Sequence, residues 1–324
     1  MILYEELSEH VFSRHKYNDS DELVILSGYV GPEPVKALSQ LPLSSRVIYG
    51  MYATDSIKPN LHKILNKISD SSKNVEVFYS KKAIHSKCYV WRKKNTIVEA
   101  LLGSANFSIN GLRTPLREIL NEVAKEDFNK LNKYINFSFD NTIACNEHVE
   151  GKVSLRSETT KNIDQNICEI TLIEPKSHEV QKTHGLNWGQ GIGNHTNKDD
   201  ACLVIRTSHI RDYPNLFPPK QAKPKNDIQE GKAHRNNDPI EIIWDDGTIM
   251  PALLEGSQPV DKVNYPKQIS SFPKKSSLGK YIRKRLGLKD GTPVRKHHLL
   301  QYGRTNIELS LMGEGIYSID FSKK

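Results

Sequence analysis

His85-Ser86-Lys87 puts an imidazole two positions from an ammonium group. In an extended strand, side chains two apart share a face. The ring and the cation would then lie side by side, while Ile84, Cys88 and Val90 turn toward a core. Imidazole nitrogen is a competent nucleophile toward phosphorus, and an ammonium group neutralises the non-bridging oxygens. Gly103-Ser104-Ala105-Asn106 follows: a small turn that permits close backbone approach and offers a hydroxyl and an amide as phosphate donors. The chemistry this set suits is attack on a phosphodiester. Either motif alone is common and means little; their order within one α/β segment gives them weight.

The elements that must carry these residues are legible around them. Residues 22–30 (ELVILSGYV) read as a strand, Gly31-Pro32-Glu33-Pro34 as a turn, and a helix runs through Val35 and Leu38. Further strands are predicted at 46–51, 75–79, 84–91 and 100–103, with helices at 61–68 and 125–135. Strands alternating with helices predict an α/β layer around a largely buried sheet. On this pattern His85 and Lys87 belong to one strand, and Gly103 ends the next.

At 324 residues the chain has room for about two domains. Its 37% hydrophobic content excludes a disordered tail protein. The opening MILYEELSEH lacks the basic and apolar regions of a signal peptide, and no run approaches the ~18 apolar residues of a membrane span. A cytoplasmic, membrane-free protein is expected. Cys88, Cys145, Cys168 and Cys202 form no C-x-x-C pair, which argues against structural zinc and against a disulfide framework. There is no H-x₃-H or H-E-x-x-H spacing and no P-loop, so neither a metal nor another cofactor is expected.

The net charge is +8, but it is localised. Residues 267–296 contain ten basic side chains and one acid, a balance of +9, leaving the other 294 residues at −1. Such a block suits a protein that meets a polyanion, although a solvated helix face accounts for a run of this kind equally well. Leu278, Ile282 and Leu286 recur every four residues, so a helix here would bury that stripe and leave Lys280, Arg283, Lys284 and Arg285 outside.

The pattern weakens between residues 140 and 164 into polar, Thr-rich sequence, which predicts a boundary: 1–150 as one domain, 151–164 as a linker and 165–324 as a second. Beyond Ile167, short apolar runs (ICEITLIE, ACLVIRT, IEIIW, GIYSIDF) are separated by turn residues, and one basic helix interrupts them. That suits a small β-barrel with accessory helices. Trp244 reads as its core, with Asp245-Asp246-Gly247 as a hairpin turn. Trp188, flanked by a glycine, reads as loop packing. Asn187 and Gln190 can address adenine, and Arg206 or Arg211 guanine. Lys198, Lys220, Lys223 and Lys225 suit phosphate.

HSK followed by GSANFS resembles the H-x-K and G-S-x-N signature of the phospholipase D superfamily, with the spacing of its nuclease branch. The resemblance implies a metal-free reaction through a covalent phosphohistidine, with a second histidine acting first as acid. One H-x-K per chain implies one active site assembled from two chains. Residue by residue, it makes His85 nucleophile or general acid, Lys87 and Asn106 the phosphate clamp, and Ser104 a supporting donor. The glutamate orienting the histidine is Glu118 or Glu122, and the REIL context favours Glu118. Arg92 stands where many members carry an aspartate five residues after the lysine.

In the second half, Gly185-Leu186-Asn187-Trp188-Gly189-Gln190, Trp244-Asp245-Asp246-Gly247-Thr248, LGKYIRKRLGL and Tyr302-Gly303-Arg304 are similar to the restriction endonucleases of the NgoFVII type, with BfiI a more distant architectural relative. This implies an α/β phospholipase D-like nuclease domain with a mixed β-sheet, followed by a β-rich pseudobarrel like the plant B-three domain. The implied activity is site-specific, type II-like hydrolysis of double-stranded DNA. The implied partners are DNA, a second copy of the chain through the nuclease domain, a separate ATPase and a cognate methyltransferase. Two competing expectations are a nuclease of the same superfamily with little sequence preference, and a DNA-binding regulator that has lost catalysis. Intact His85, Lys87, Ser104 and Asn106 weigh against the regulator.

Overall fold

A computed structural model describes residues 1–148, 167–191, 197–220 and 237–323. The chain packs as two units, Met1–Glu158 with Met312–Gly315 and Thr159–Leu311 with Ile316–Lys324. The linker expected at 151–164 lies outside the described residues.

In the first unit, β1 (Ile2–Leu3), β2 (Glu22–Ser27), β3 (Ser44–Tyr49), β4 (Val75–Ser80), β5 (Lys87–Lys93), β6 (Thr96–Gly103), β7 (Leu120–Glu122) and β8 (Thr142–Ala144) make one sheet. Its order is β1-β7-β6-β5-β2-β3-β4-β8. Strands β2, β3 and β4 are parallel, whereas β5 and β6 run antiparallel to their neighbours. Helices α1 (Leu7–Ser13) and α2 (His15–Asn18) precede β2. Parallel neighbours require crossovers; α3 (Pro32–Leu38) supplies the first, and α4 (Tyr52–Asp55) with α5 (Pro59–Ser71) the second. Helices α6 (Ile109–Arg113) and α7 (Phe128–Asp140) follow β6 and β7.

The central strands read as continuous apolar runs because both faces are covered. On one face Val24, Leu26, Ile48, Cys88 and Val90 pack with Leu131 and Ile135 of α7. Helix α5 buries Leu61, Ile64, Leu65 and Ile68, a stripe at helical spacing, and starts at Pro59, whose fixed φ suits a first turn.

The second unit contains β9 (Ile167–Thr171), β10 (Leu203–Val204), β11 (Asp238–Trp244), β12 (Ile249–Glu255), β13 (Gln258–Val260), β14 (Val263–Tyr265), β15 (Gln268–Ser271), β16 (Asn306–Gly313) and β17 (Ile316–Asp320). Seven of these form a sheet in the order β10-β15-β12-β11-β17-β16-β9, and β13 pairs with β14 alone. The sheet wraps one core that includes Cys168, Leu203, Ile242, Trp244, Ile269, Leu309 and Phe321. Trp244 is buried, and Gly247 turns the β11–β12 hairpin at φ 82°. All four cysteines are buried and free.

Among the described residues, three helices accompany this sheet, the basic one and two accessory ones: α8 (Thr207–Asp212), α9 (Ser276–Arg285) and α10 (Lys296–Tyr302). Helices α8 and α10 are too short to display a helical period, but their starts are alike. His209 accepts on Nδ1 from the backbone N–H of Arg206 at 3.2 Å, and His298 from that of Arg295 at 3.1 Å. Histidine here takes the place that Glu or Gln holds in a capping box. Burial, then the Arg206 charge, lowers the pKa of His209 below the ordinary histidine value. The unfolded chain therefore binds the proton first. The stability this residue contributes is full above about pH 6.5 and is lost as pH falls toward the lowered folded value. The urea midpoint of H209N, which keeps an acceptor but takes up no proton, is expected to fall less steeply below that pH than the wild type's.

Helix α9 corrects an expectation. Leu278 and Ile282 are buried as the four-residue spacing required, but Arg283 is buried as completely. Its Nε lies 3.2 Å from Oδ1 of Asp199 and donates to the Thr292 carbonyl at 2.8 Å, while Nη2 donates to the Leu186 carbonyl. Arg285 grips Asp245 with both terminal nitrogens, at 3.1 and 2.8 Å, and reaches the Tyr302 hydroxyl. Lys280 and Lys284 are exposed, and Lys280 pairs with Asp290 at 2.9 Å. Three consecutive cations span about 200° of a helix, so Arg283 and Arg285 flank the apolar stripe on either side and Lys284 lies opposite it.

Candidate active site and nucleic-acid interface

Strand register gathers the two motifs. Lys87 stands opposite Gly103 in the β5–β6 ladder, and Cys88 opposite Leu26 in the β5–β2 ladder. The ends of β2 and β6 therefore flank the start of β5. His85 is not in a strand, contrary to expectation: β5 begins at Lys87, and residues 83–86 form the loop before it. Alternation along a strand is thus not what joins the pair. The lysine folds back instead, its Nζ 3.2 Å from Nδ1 and 3.1 Å from Nε2 of His85 and donating to the His85 carbonyl at 2.8 Å. His85 is exposed, while Lys87 is 6% exposed.

Two glycines make the close packing around this loop possible. The backbone N–H of Ile84 donates to the Gly50 carbonyl at 3.0 Å, and a β-carbon on residue 50 would lie 2.1 Å from the Ile84 oxygen. At Gly28 a β-carbon would lie 3.0 Å from Cδ2 of His85 and 3.4 Å from Oδ1 of Asn106. One bare backbone position thus touches both groups and sets them beside each other. Sequence reasoning passed over Gly28 because it sits inside the apolar run ELVILSGYV.

Asn106 is buried, and its Oδ1 accepts from the Tyr29 backbone N–H at 3.2 Å with the Ser27 hydroxyl 3.4 Å away. That commits the oxygen and makes Nδ2 the donating end, which reaches Oε2 of Glu314 at 3.4 Å. The turn carrying it is pinned on several sides. Phe107 N–H donates to Ser27 Oγ, the Tyr89 hydroxyl donates to the Ala105 carbonyl, and Ser108 N–H donates to the Asn106 carbonyl. Tyr29 itself is partly buried; burial, then its hydrogen bond to Asp55, pushes its pKa up to about 12.

Ser104 is exposed, and its Oγ accepts from the Ile119 N–H at 3.1 Å, tying the turn to the residue after Glu118. Glu118 has its carboxylate 3.4 Å from Nε of Arg117 and close enough to Lys87 to influence it. Burial lowers the pKa of Lys87 below the ordinary lysine value, and the Glu118 charge opposes that shift. Glu122, the other candidate, is held by Arg14 at 2.9 Å. Arg92 is buried, 2.8 Å from Asn132 Oδ1 and 3.7 Å from Glu22. Among the described residues, no group of three or more His, Cys, Asp and Glu side chains is arranged to hold a metal ion.

The residues expected to read DNA fall into two groups. Asn187, Gln190 and Lys198 belong to the first. Asn187 is buried, and its amide bonds the Gln181 and Val294 carbonyls and the Val294 N–H. With both ends taken by backbone, its geometry is that of a loop clamp, and the expected adenine contact has no free edge to use. Gln190 likewise donates to the carbonyls of Lys198 and Gly291. Lys198 is exposed. Trp188 is partly buried under the ammonium of Lys275, 4.3 Å from its ring.

The second group meets the β13–β14 hairpin. Arg211 is exposed and pairs with Asp261 at 3.5 Å, and the Lys220 N–H donates to the Asn264 carbonyl. Arg206 is partly buried ahead of α8, and burial lowers its pKa as it does that of Lys220. Exposed Lys262, at the hairpin tip, was not singled out by sequence. Lys223 and Lys225 lie outside the described residues.

Comparison with known proteins covers both units. Residues 5–151 match the family model of the NgoFVII restriction endonuclease N-terminal PLD domain, and residues 162–313 that of the NgoFVII C-terminal B3-like DNA-binding domain. NucT from Helicobacter pylori is 16% identical with a TM-score of 0.33, over 44% of this chain and 96% of its own. Nuc from Salmonella typhimurium, a phospholipase D family member, is 11% identical with a TM-score of 0.34, over 44% of this chain and 95% of its own. No curated protein matches the chain.

Proposed function

Because the chain belongs to the NgoFVII restriction endonuclease family, with a PLD nuclease domain followed by a B3-like DNA-binding domain, we propose that it hydrolyses double-stranded DNA at or near a specific sequence, without a metal ion. In this mechanism the imidazole of His85 attacks phosphorus and a P–N bond forms as the P–O bond to the leaving strand breaks. The histidine of a second copy protonates the leaving oxygen. That histidine then takes a proton from water, the water oxygen attacks phosphorus, and the P–N bond breaks to free His85. Lys87 and the Nδ2 end of Asn106 hold the non-bridging oxygens, Ser104 donates beside them, and Glu118 orients the histidine. The observation that carries this reading is the Lys87 ammonium 3.1–3.2 Å from both ring nitrogens of His85, with Asn106 set against the same Gly28.

The test is digestion of plasmid DNA by the purified protein in excess EDTA, followed by sequencing of the ends. Discrete fragments with a common sequence are expected. A smear would favour a nuclease of the same superfamily with little sequence preference, and loss of activity on chelation would reject the metal-free mechanism.

The lysine adds a pH signature. Its ammonium is lost as pH rises through a value that burial has lowered, so kcat/KM is expected to decline on the alkaline side below the ordinary lysine range. In K87R the guanidinium stays charged. Its rate at neutral pH should drop while the alkaline decline moves to higher pH, as paired pH–rate profiles would register.

A further inference from the structure

We propose that Tyr29 and Asp55 form a positioning pair for this site, Tyr29 bracing the imidazole of His85 on one side and the amide of Asn106 on the other. The inference rests on the roles given above to His85 and Asn106. Tyr29 follows Gly28 where β2 ends. Its N–H donates to Asn106 Oδ1 at 3.2 Å, and its carbonyl accepts from Ser27 Oγ at 2.6 Å, so its backbone is gripped at both polar groups. The ring stands edge-on to the His85 imidazole, with centroids 6.2 Å apart and planes at 80°. A second edge contact, to Tyr49 at 6.2 Å and 87°, backs it from behind.

The hydroxyl closes the arrangement. It donates to Oδ2 of Asp55 at 2.6 Å, and Asp55 is fixed in turn because its own N–H donates to the Met51 carbonyl at 2.9 Å. The ring cannot turn away from His85 without breaking that bond. With its pKa near 12, the phenol remains a donor through the neutral range. His85 is exposed and sits on a loop, so strand hydrogen bonds do not fix its ring; the aromatic edge adds a steric wall to the polar hold of Lys87 on the ring nitrogens. In-line attack is sensitive to such placement, an error of ~1 Å costing about a hundredfold in rate. Tyr29 touches neither reacting atom in this scheme, so its effect belongs in kcat.

The experiment uses Y29F, Y29L, D55A and D55N in the full chain, with steady-state cleavage kinetics, thermal unfolding, and imidazole nitrogen NMR in which the His85 signals are those absent from H85A. Y29F and D55A are each expected to lower kcat about tenfold, with KM and Tm close to wild type. D55N keeps an acceptor oxygen and should lose less than D55A. The His85 signals should shift in Y29F and further in Y29L. Unchanged kcat and unchanged His85 signals in Y29F and D55A would overturn the pair. So would parallel losses of kcat and Tm in all four variants, which would mark a purely structural role. If the wild-type protein leaves DNA uncut, the functional reading fails, and the imidazole spectra alone still decide whether Tyr29 braces His85.

Discussion

The H85A protein is expected to lose cleavage by about 10³-fold or more while binding its DNA site with unchanged affinity and unfolding at the wild-type temperature. The size follows from the role: with the nucleophilic nitrogen gone, no neighbouring group replaces it. Neutrality in folding follows from position. His85 is exposed and lies on the loop before β5, so truncation opens no core cavity. Binding and turnover should therefore separate cleanly in one variant. Retention of more than about a tenth of the wild-type rate would remove His85 from the chemistry. Joint loss of binding and cleavage would recast it as part of the DNA contact surface.

The second large effect is on folding. R283A is expected to destabilise the second unit by about 3–5 kcal/mol, measured as the shift of its urea transition. Arg283 is wholly buried beside the nearly buried Asp199, and it also bonds the carbonyls of Thr292 and Leu186. Removing the guanidinium strands a buried carboxylate and unpairs two backbone acceptors, which costs far more than the pair contributes relative to apolar packing. The double variant R283M/D199L should regain much of the loss, since it removes both charges together. K284A, one residue away and exposed, should shift the transition by less than about 0.5 kcal/mol. Similar behaviour of R283A and K284A would contradict the burial assigned to Arg283.

Side-chain type and order carried much of the first unit. The apolar runs of β2, β3 and β4, the stripe of α5, and Gly103 at the end of β6 were legible, because strands covered on both faces read as continuous apolar runs and a helix with one buried face shows helical spacing. The pairing of His85 with Lys87 was also legible, although its cause was misread: the lysine folds back, and no strand aligns the two. What stayed hidden depends on contacts between distant segments. Nothing in ELVILSGYV marks Gly28 as the point where His85 and Asn106 meet, nor Tyr29 as a brace, since both lie in an unbroken strand pattern.

In the second unit polar residues misled in a consistent way. Asn187, Gln190, Arg283 and Arg285 read as surface or as DNA contacts, because composition cannot tell a side chain that serves a base from one that serves a backbone carbonyl. Each is bound to main-chain atoms of loops elsewhere in the unit. The accessory helices α8 and α10 could not be placed for a simpler reason: six or seven residues do not complete a second helical turn of pattern.

The internal pairing of Arg283 and Arg285 also bears on how strongly salt governs DNA affinity. Each phosphate neutralised by a protein cation releases condensed counterions, and only cations that face the solution take part. A guanidinium sealed against Asp199 or clamped by Asp245 adds to the isoelectric point without entering that exchange. The basic stretch thus marks where the second unit is stitched together, and its loosening of grip with rising ionic strength would be milder than a count of its lysines and arginines implies.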